Sequence, residues 1–307
     1  MSKTTSAFIS IVGRPNVGKS SLLNKMLGQK VAIVSSKPQT TRTKIMGVLT
    51  RDEKQIVYID TPGFHRPKNV LGENMMRAVS EGMADVDAAM LVVEAVTRFK
   101  FNPDNLPAAE MQLIEELKKR KIKTILVINK IDMLKNKEEL LELITAYTKH
   151  MDFDAVVPVS AVTGDGVHAL IEEQMKYQKE SPHFFPDDAA TDQPERVMVA
   201  EMIREKILRT MDKEIPHGVA IDIERFFERD NVKSEPVLEV GAVIYCEKES
   251  HKGIIIGKKG AMLKKIGTYA REDIERFFGI KVNLQLWVKV KENWRERAGL
   301  IHTFGLD

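Results

Sequence analysis

The sequence has little of what disulfide-linked, secreted or membrane-spanning proteins need. Its 307 residues include one cysteine, Cys246, so no disulfide can form within the chain. No window approaches about 18 uninterrupted apolar residues, which argues against a membrane-spanning helix. Residues 1–7 are polar and lack the apolar core of a signal peptide. We therefore expect a cytoplasmic protein, with Cys246 as a small apolar core residue.

The sequence also lacks a strong charge bias. It carries 47 Lys and Arg against 44 Asp and Glu, and its formal net charge is +3. This balance permits a nucleic-acid partner without requiring one. Hydrophobic residues make up 43% of the chain, which is ordinary for a globular protein, and the length predicts about two domains.

Short apolar segments alternate with helical stretches through about residue 178, which predicts an α/β domain with a mainly parallel sheet. The predicted strands are Phe8–Val12, Gln55–Ile59, Ala88–Val93, Thr124–Ile128 and Ala155–Val159. Residues 179–194 hold three prolines and four acidic residues without an apolar period, so we predict a linker there. Beyond it, three strands interleaved with helices predict an α+β domain. In the first of these helices we expect the buried face to comprise Val197, Ala200, Ile203 and Ile207.

A phosphate-binding loop follows the first predicted strand. Residues 13–20 read GRPNVGKS and fit the pattern G-x-x-x-x-G-K-S, with a predicted helix after them. Backbone N–H groups and the helix N-terminus supply positive potential there, while Lys19 suits the β- and γ-phosphates and the Ser20 hydroxyl suits Mg²⁺. The residues assigned to phosphate binding are Gly13, Arg14, Pro15, Asn16, Val17, Gly18, Lys19, Ser20, Ser21 and Gly63.

Two further segments are typical of nucleotide-sensing switches. Asp60, which follows a buried strand, can hold magnesium through water, and Gly63 can offer its N–H to a γ-phosphate. Thr41 can complete the magnesium shell only while that phosphate is present; Thr40 and an ordinary solvated loop are the alternatives. The predicted switch residues are Thr40, Thr41, Arg42, Asp60, Thr61, Pro62, Gly63 and Phe64, and the predicted magnesium ligands are Ser20, Thr41 and Asp60.

The segment Asn129-Lys130-Ile131-Asp132 ends the fourth predicted strand and indicates guanine selection. The Asp132 carboxylate can accept hydrogen bonds from both the ring N–H and the exocyclic amine of guanine. Adenine lacks that donor pair, so an ATP-dependent enzyme is disfavoured. The predicted guanine-binding residues are Asn129, Lys130, Asp132, Ser160 and Ala161, the last through its backbone N–H.

Lysines cluster around a glycine turn in the second domain. Residues 248–265 hold six lysines and one glutamate, and residues 257–260 read GKKG between two predicted helices. The glycines allow close approach to a sugar-phosphate backbone, and an apolar strand beside the turn, with Ile254–Ile256 preceding the turn, would give bases a groove. An ordinary helix–helix turn with solvated lysines is the alternative. The predicted RNA-binding residues are Lys252, Gly257, Lys258, Lys259, Gly260 and Lys264.

The order GRPNVGKS, TTR, DTPG, NKID and SA resembles the translation-factor-related small GTPases. The stretch DTPGFHRPKNVLGENM and the single appended domain resemble the Era-like family among them. This resemblance implies a P-loop GTPase domain with a mainly parallel sheet over residues 1–178, a linker over 179–194, and an α+β KH domain of type II over 195–307. It also implies a monomer that binds the 3′ end of small-subunit ribosomal RNA and assists assembly of the small ribosomal subunit.

The arrangement of hydrolysis is less plain from the sequence. Many small GTPases have a glutamine where this chain has Phe64, which can neither donate nor accept a hydrogen bond to water. His65 as a base and Arg42 as a charge-neutralising group are weaker alternatives. The resemblance implies instead that Asn16 helps to bind an activating K⁺ beside the phosphates, in addition to Mg²⁺. We therefore expect slow hydrolysis that K⁺ accelerates.

A second reading of the whole chain remains open. In this reading the protein is a GTP-gated tether, and its lysine-rich domain binds a protein or an anionic membrane surface. Its location would then be peripheral, at the inner face of the cell membrane.

Overall fold

The computed structural model describes residues 4–95, 106–212, 215–230 and 234–306, so residues 1–3 of the polar N-terminus lie outside it. With the gaps just given, the described residues form two compact units, one within the ranges 4–32, 41–67 and 75–192 and one within 33–40, 68–74 and 193–306. The strands up to residue 192 are β1 (Thr5–Val12), β2 (Ile45–Arg51), β3 (Lys54–Asp60), β4 (Ala88–Glu94), β5 (Thr124–Asn129), β6 (Ala155–Pro158) and β7 (Lys179–Glu180). The helices of the same stretch are α1 (Lys19–Leu27), α2 (Val70–Gly82), α3 (Ala108–Arg120), α4 (Lys137–Thr148) and α5 (Val167–Gln174).

The first unit is built on one sheet in the order β2-β3-β1-β4-β5-β6, with β7 paired to the start of β1. Its neighbours are parallel except for β2 and β7, which confirms the predicted mainly parallel sheet. Every residue of β5 is buried, as expected of a central strand covered on both faces. Along β4, Met90 and Val92 join one apolar cluster while Leu91 and Val93 join another, so the sheet has a core on each face.

The second unit contains a three-stranded mixed sheet. Its elements are α6 (Glu195–Thr210), β8 (Ala220–Asp230), β9 (Pro236–Cys246), α7 (Glu249–Ile256), α8 (Ala261–Phe278), β10 (Lys281–Val290) and α9 (Ala298–Thr303). The sheet order is β10-β9-β8, with β9 antiparallel to β8 and parallel to β10. Alternate residues of β10 pack with α6 and α8 in one core, which also buries Cys246 as predicted.

The predicted buried face of α6 is partly wrong. Ile203 and Ile207 are buried, but Val197 is 41% exposed, and Met198, Val199 and Met202 take its place in the core. The helix also buries Arg204, Glu205 and Lys206. These charges are tolerated because they are paired, for example Lys206 Nζ with carboxylate oxygens of both Glu205 and Asp273.

Residues predicted as a linker are held against the first unit as far as Asp192. The side chain of Gln55, fully buried on β3, accepts hydrogen bonds from the backbone N–H groups of Phe184 (2.8 Å) and Phe185 (3.0 Å) and donates to the Phe185 carbonyl (2.9 Å). The ring of Phe184 meets that of Phe8 edge to face, with centroids 4.9 Å apart. The high polar and proline content therefore reflects an irregular segment fixed by hydrogen bonds, not a free tether.

We expect Gln55→Leu to destabilise the first unit by about 2 to 4 kcal/mol, because it removes the hydrogen bonds that fix residues 184 and 185 while keeping the side-chain volume. Urea unfolding measures the loss, and limited proteolysis should show faster cleavage within residues 183–192. The control is Gln112→Leu, an exposed glutamine of α3 in the same unit. Equal unfolding midpoints for the two variants would contradict the role of Gln55.

Candidate guanine-nucleotide site and RNA interface

The phosphate loop connects the end of β1 to the start of α1, at the carboxyl edge of the sheet. Gly18 adopts φ 98°, and a Cβ atom there would lie 2.3 Å from the Asn129 amide nitrogen, so glycine is required at this position. The Lys19 ammonium donates to the carbonyl oxygens of Gly13 (3.1 Å) and Arg14 (3.2 Å). Burial lowers the pKa of Lys19 to about 8. The negative charge of a phosphate bound in this loop would compensate the Lys19 ammonium for the water that burial removes.

The three predicted magnesium ligands lie together. The Ser20 hydroxyl is 2.6 Å from Asp60 Oδ2 and 2.9 Å from the Thr41 hydroxyl. The other oxygen of Asp60, Oδ1, is buried and has no hydrogen-bond partner among the described residues. Burial raises the pKa of Asp60 to about 6, against the opposing charge of Lys19. Two hydroxyls and an orphaned carboxylate oxygen are the donor set that Mg²⁺ prefers, so these residues fit that ion.

The geometry separates Thr40 from Thr41. The Thr40 hydroxyl donates to the Lys37 carbonyl at 2.7 Å, whereas the Thr41 hydroxyl faces Ser20. Arg42, the alternative charge-neutralising group, is only 3% exposed. The position of Thr41 supports its choice as the switch threonine.

The loop after β3 lies close to the phosphate loop. The backbone N–H of Phe64 donates to the Gly13 carbonyl at 3.0 Å, and its ring packs with the core cluster that includes Val12. The ring Nδ1 of His65 is 2.7 Å from the Gly63 carbonyl oxygen. Phe64 therefore acts through packing, and the His65 ring is engaged locally in this structure.

The guanine-selecting segment is fixed by contacts to two other loops. The Asn129 amide donates to the Val17 carbonyl at 2.8 Å, and its oxygen accepts from the Ala161 N–H at 3.0 Å. Asp132 is exposed at the site, and Ser160 Oγ donates to its Oδ1 at 2.5 Å. The Ala161 N–H, expected to support the base, is thus used by Asn129 here. The carboxylate of Asp132 is left in the open, oriented by Ser160.

Two acidic residues that the sequence did not point to, Glu94 and Glu110, hydrogen-bond residues of this site. The Lys130 ammonium donates to the Asn16 carbonyl (2.8 Å) and to a Glu94 carboxylate oxygen (2.9 Å), which links the guanine segment to the phosphate loop. Arg14 turns its side chain to Glu110 on α3, so any contact of Arg14 with phosphate comes from its backbone. Neither acid lies in a recognisable motif, and only their positions near strand or helix ends could have drawn attention to them.

In the second unit, the GKKG segment joins α7 to α8 as predicted. Gly257 has φ 71°, and a Cβ atom there would lie 2.7 Å from that of Met262, while Lys258 and Lys259 are exposed. A groove of about 380 Å³ opens beside the segment. It is lined by Gly260, Leu263, Lys264, Gly267, Thr268, Arg271, Leu284 and Leu286.

The apolar floor of this groove comes from α8 and from β10, an apolar strand beside the turn. Ile255, which precedes the turn, is buried in the core, and Ile254 is 51% exposed. A basic rim and an apolar floor suit the phosphates and bases of a single strand. Thr268 and Arg271 are candidate contacts that sequence reasoning missed. They lie one and two helical turns after Lys264 along α8, and this spacing was the available signal.

A mainly parallel sheet that carries this phosphate loop, the predicted magnesium ligands and the guanine-selecting segment defines a GTP-binding P-loop protein. The second unit has the sheet, the GKKG turn and the basic groove of an RNA-binding domain. Comparisons with known proteins agree: a family profile described as "50S ribosome-binding GTPase" matches residues 8–130, and one described as "KH domain" matches residues 214–295. The chain is 50% identical over 300 residues to GTPase Era of Clostridioides difficile (strain 630), covering 98% of both chains. It is 48% identical over 301 residues to GTPase Era of Ruminiclostridium cellulolyticum, covering 98% of this chain and 97% of that one.

Two solved structures match over 99% of both chains. One is a crystal structure of Era in complex with MgGDPNP and nucleotides 1506–1542 of 16S ribosomal RNA (35% identity, TM-score 0.91). The other is a variant of Aquifex aeolicus Era bound to GDP.AlF4- (34% identity, TM-score 0.90). The chain belongs to the Era family of GTPases, and it is a GTPase with a C-terminal KH domain. No helix in the described ranges is long and apolar enough to cross a membrane.

We expect Asp132→Asn to weaken GTP binding by about 100-fold, because the amide cannot accept both guanine hydrogen bonds. Affinity for xanthosine triphosphate should rise, since its C2 oxygen can accept from the new amide. Titration calorimetry with both nucleotides measures the exchange. The control is Asp165→Asn, whose carboxylate bonds the Thr163 hydroxyl in the neighbouring loop. Unchanged GTP affinity in the Asp132 variant would reopen the possibility of an ATP-dependent enzyme.

Proposed function

We propose that this GTPase binds the 3′ end of small-subunit ribosomal RNA through its KH domain and assists assembly of the small subunit, acting as a monomer under control of its nucleotide state. The observation that carries this proposal is the exposed lysine pair of the GKKG segment beside a groove with an apolar floor. The lysines match a phosphate backbone, and the groove matches unpaired bases.

The relatives support one RNA over others. The full-length structural neighbour is bound to nucleotides 1506–1542 of 16S ribosomal RNA, and it shares the fold of both units. The profile that names the 50S particle matches residues 8–130 alone, and so bears on the GTPase domain and not on the RNA-binding one. We therefore favour the small subunit as the partner.

The GTPase domain supplies the control. Ser20, Thr41 and Asp60 would hold Mg²⁺, a role that their mutual contacts support, and the charge of the ion would stabilise the phosphates of bound GTP. Thr41 and Gly63 are the groups positioned to sense a γ-phosphate, and Phe64 offers no hydrogen bond to a water molecule. These features suit a slow timer, in which K⁺ held with the help of Asn16 raises the rate.

For the RNA interface, we expect Lys258→Glu and Lys259→Glu together to weaken binding to a 16S 3′-end oligonucleotide by at least about tenfold. The dependence of log affinity on log salt should become shallower by about one for each lost phosphate contact. Fluorescence anisotropy at several salt concentrations measures both. The control is Lys281→Glu, an exposed lysine at the start of β10.

Binding assays of this kind also distinguish RNA binding from the alternative function as a GTP-gated tether. A protein that binds no RNA but sediments with anionic phosphatidylserine vesicles would replace the RNA proposal with peripheral attachment to the inner face of the membrane. Sedimentation with isolated 30S and 50S particles distinguishes the two ribosomal partners, and light scattering tests the monomer.

For the cation, we expect hydrolysis in K⁺ to exceed that in Na⁺ by about tenfold, because a fixed cation beside the phosphates stabilises charge that develops in the transition state. Single-turnover assays in matched chloride salts measure the ratio. Asn16→Ala should abolish the difference, while Asn136→Ala, which removes only the cap of α4, should retain it. Equal rates in both salts, or a K⁺ response that survives Asn16→Ala, would rule out this role.

A further inference from the structure

A buried carboxylate lies directly behind the phosphate loop. Glu110, in the first turn of α3, is fully buried. One of its oxygens accepts a hydrogen bond from Nε of Arg14, the second residue of the phosphate loop. Its other oxygen accepts from the hydroxyl of Tyr147, which is fully buried on α4. A single carboxylate thus joins three separate parts of the first unit.

The pKa values of Arg14 and Tyr147 are both shifted by their contact with Glu110. Burial alone would lower the pKa of the Arg14 guanidinium, but the charge of Glu110 and the hydrogen bond to it raise the pKa above its ordinary value. Burial and the charge of Glu110 raise the pKa of the Tyr147 hydroxyl, which therefore remains a donor at every physiological pH. A buried carboxylate that lost either partner would be left under-compensated, so the three groups hold one another in place.

We propose that Glu110 and Tyr147 are positioning residues for nucleotide binding, which act by fixing Arg14 and with it the backbone of the phosphate loop. Arg14 is suited to this task because its carbonyl oxygen accepts from the Lys19 ammonium at 3.2 Å, while its side chain is held from behind. At the other side of the loop, Lys130 holds the Asn16 carbonyl. The loop is therefore anchored at two points before any phosphate arrives.

The proposal predicts a particular kinetic signature. A preorganised loop lowers the ordering cost that nucleotide binding would otherwise carry, and this gain is the same for GDP, GTP and the transition state. Loosening the anchor should therefore raise Kd and KM and leave kcat nearly unchanged. A group that contacts the reacting phosphate would instead lower kcat.

The test uses Tyr147→Phe in the full-length protein, a change that removes one hydroxyl and keeps the ring. We expect Kd for GDP and GTP to rise by about three- to tenfold, with kcat within about twofold of the parent. The matched control is Tyr58→Phe. The hydroxyl of Tyr58 is likewise buried and donates to Gln174 Oε1 at 2.5 Å, but the amide nitrogen of Gln174 contacts the sulfur atoms of Met26 and Met90, which lie outside the phosphate loop. Its loss should lower the melting temperature without changing Kd.

A double variant tests whether the effect passes through Arg14. Arg14→Ala alone should weaken GDP and GTP to a similar degree, and adding Tyr147→Phe should change Kd by less than about twofold more. Glu110→Gln should raise Kd at least as much as Tyr147→Phe, provided that its melting curve shows a folded protein. An unchanged Kd in Tyr147→Phe, a fall in kcat without a rise in Kd, or effects that multiply in the double variant would each overturn the proposal.

Discussion

The buried ammonium of Lys19 is the charge on which the nucleotide site depends. Its burial lowers its pKa to about 8, and burial raises the pKa of the nearby Asp60 to about 6, so both groups are held at an electrostatic cost while charged. Two backbone carbonyls and one hydroxyl compensate that cost only in part. Phosphate oxygens and Mg²⁺ would supply the missing partners, so the groups held at a cost in this site are those that the ligands would satisfy.

Holding such groups in place requires support from elements that never meet the ligand. Asn129 ties the guanine segment to Val17 and to Ala161, and Lys130 ties it to Asn16. These contacts explain why the motifs are spread over five loops yet act as one site. Four of these loops follow parallel strands, whose carboxyl ends the sheet brings to a single edge, and the loop with Thr41 lies between α1 and β2.

The sequence predicted the elements whose structure depends on their own residues. Fully buried strands such as β5 are recognisable as short apolar runs, and the glycines of the motifs mark the turns that they form. The edge strand β2 was missed because it is only half buried and pairs antiparallel with β3, so its residues 45–51 show neither a long apolar run nor a clean alternation. Residues 179–192 were misjudged for a related reason, since they are fixed by the side chain of Gln55 and not by a periodic apolar face.

Helix α6 shows why a helical face can be misplaced by one position. Counting apolar residues gave Val197 a core role, but the core takes Met198 and Met202 and includes the paired charge of Lys206. Periodicity cannot anticipate this outcome, because the partner of Lys206, Asp273, lies 67 residues away on α8. Pairing, not hydropathy, decides which charged positions of this helix can face inward.

The residues that hold the phosphate loop in place also bear on which residues can distinguish GTP from GDP. In the proposed function, Asn129, Lys130 and Glu110 fix parts of the site that GDP and GTP would contact alike, so they would set affinity without distinguishing the two. In the proposed function, Thr41 and Gly63 respond to the γ-phosphate. Control of RNA binding by nucleotide state would then act through such switch residues, and a change confined to the supports should alter occupancy of the site without altering the difference between the two states.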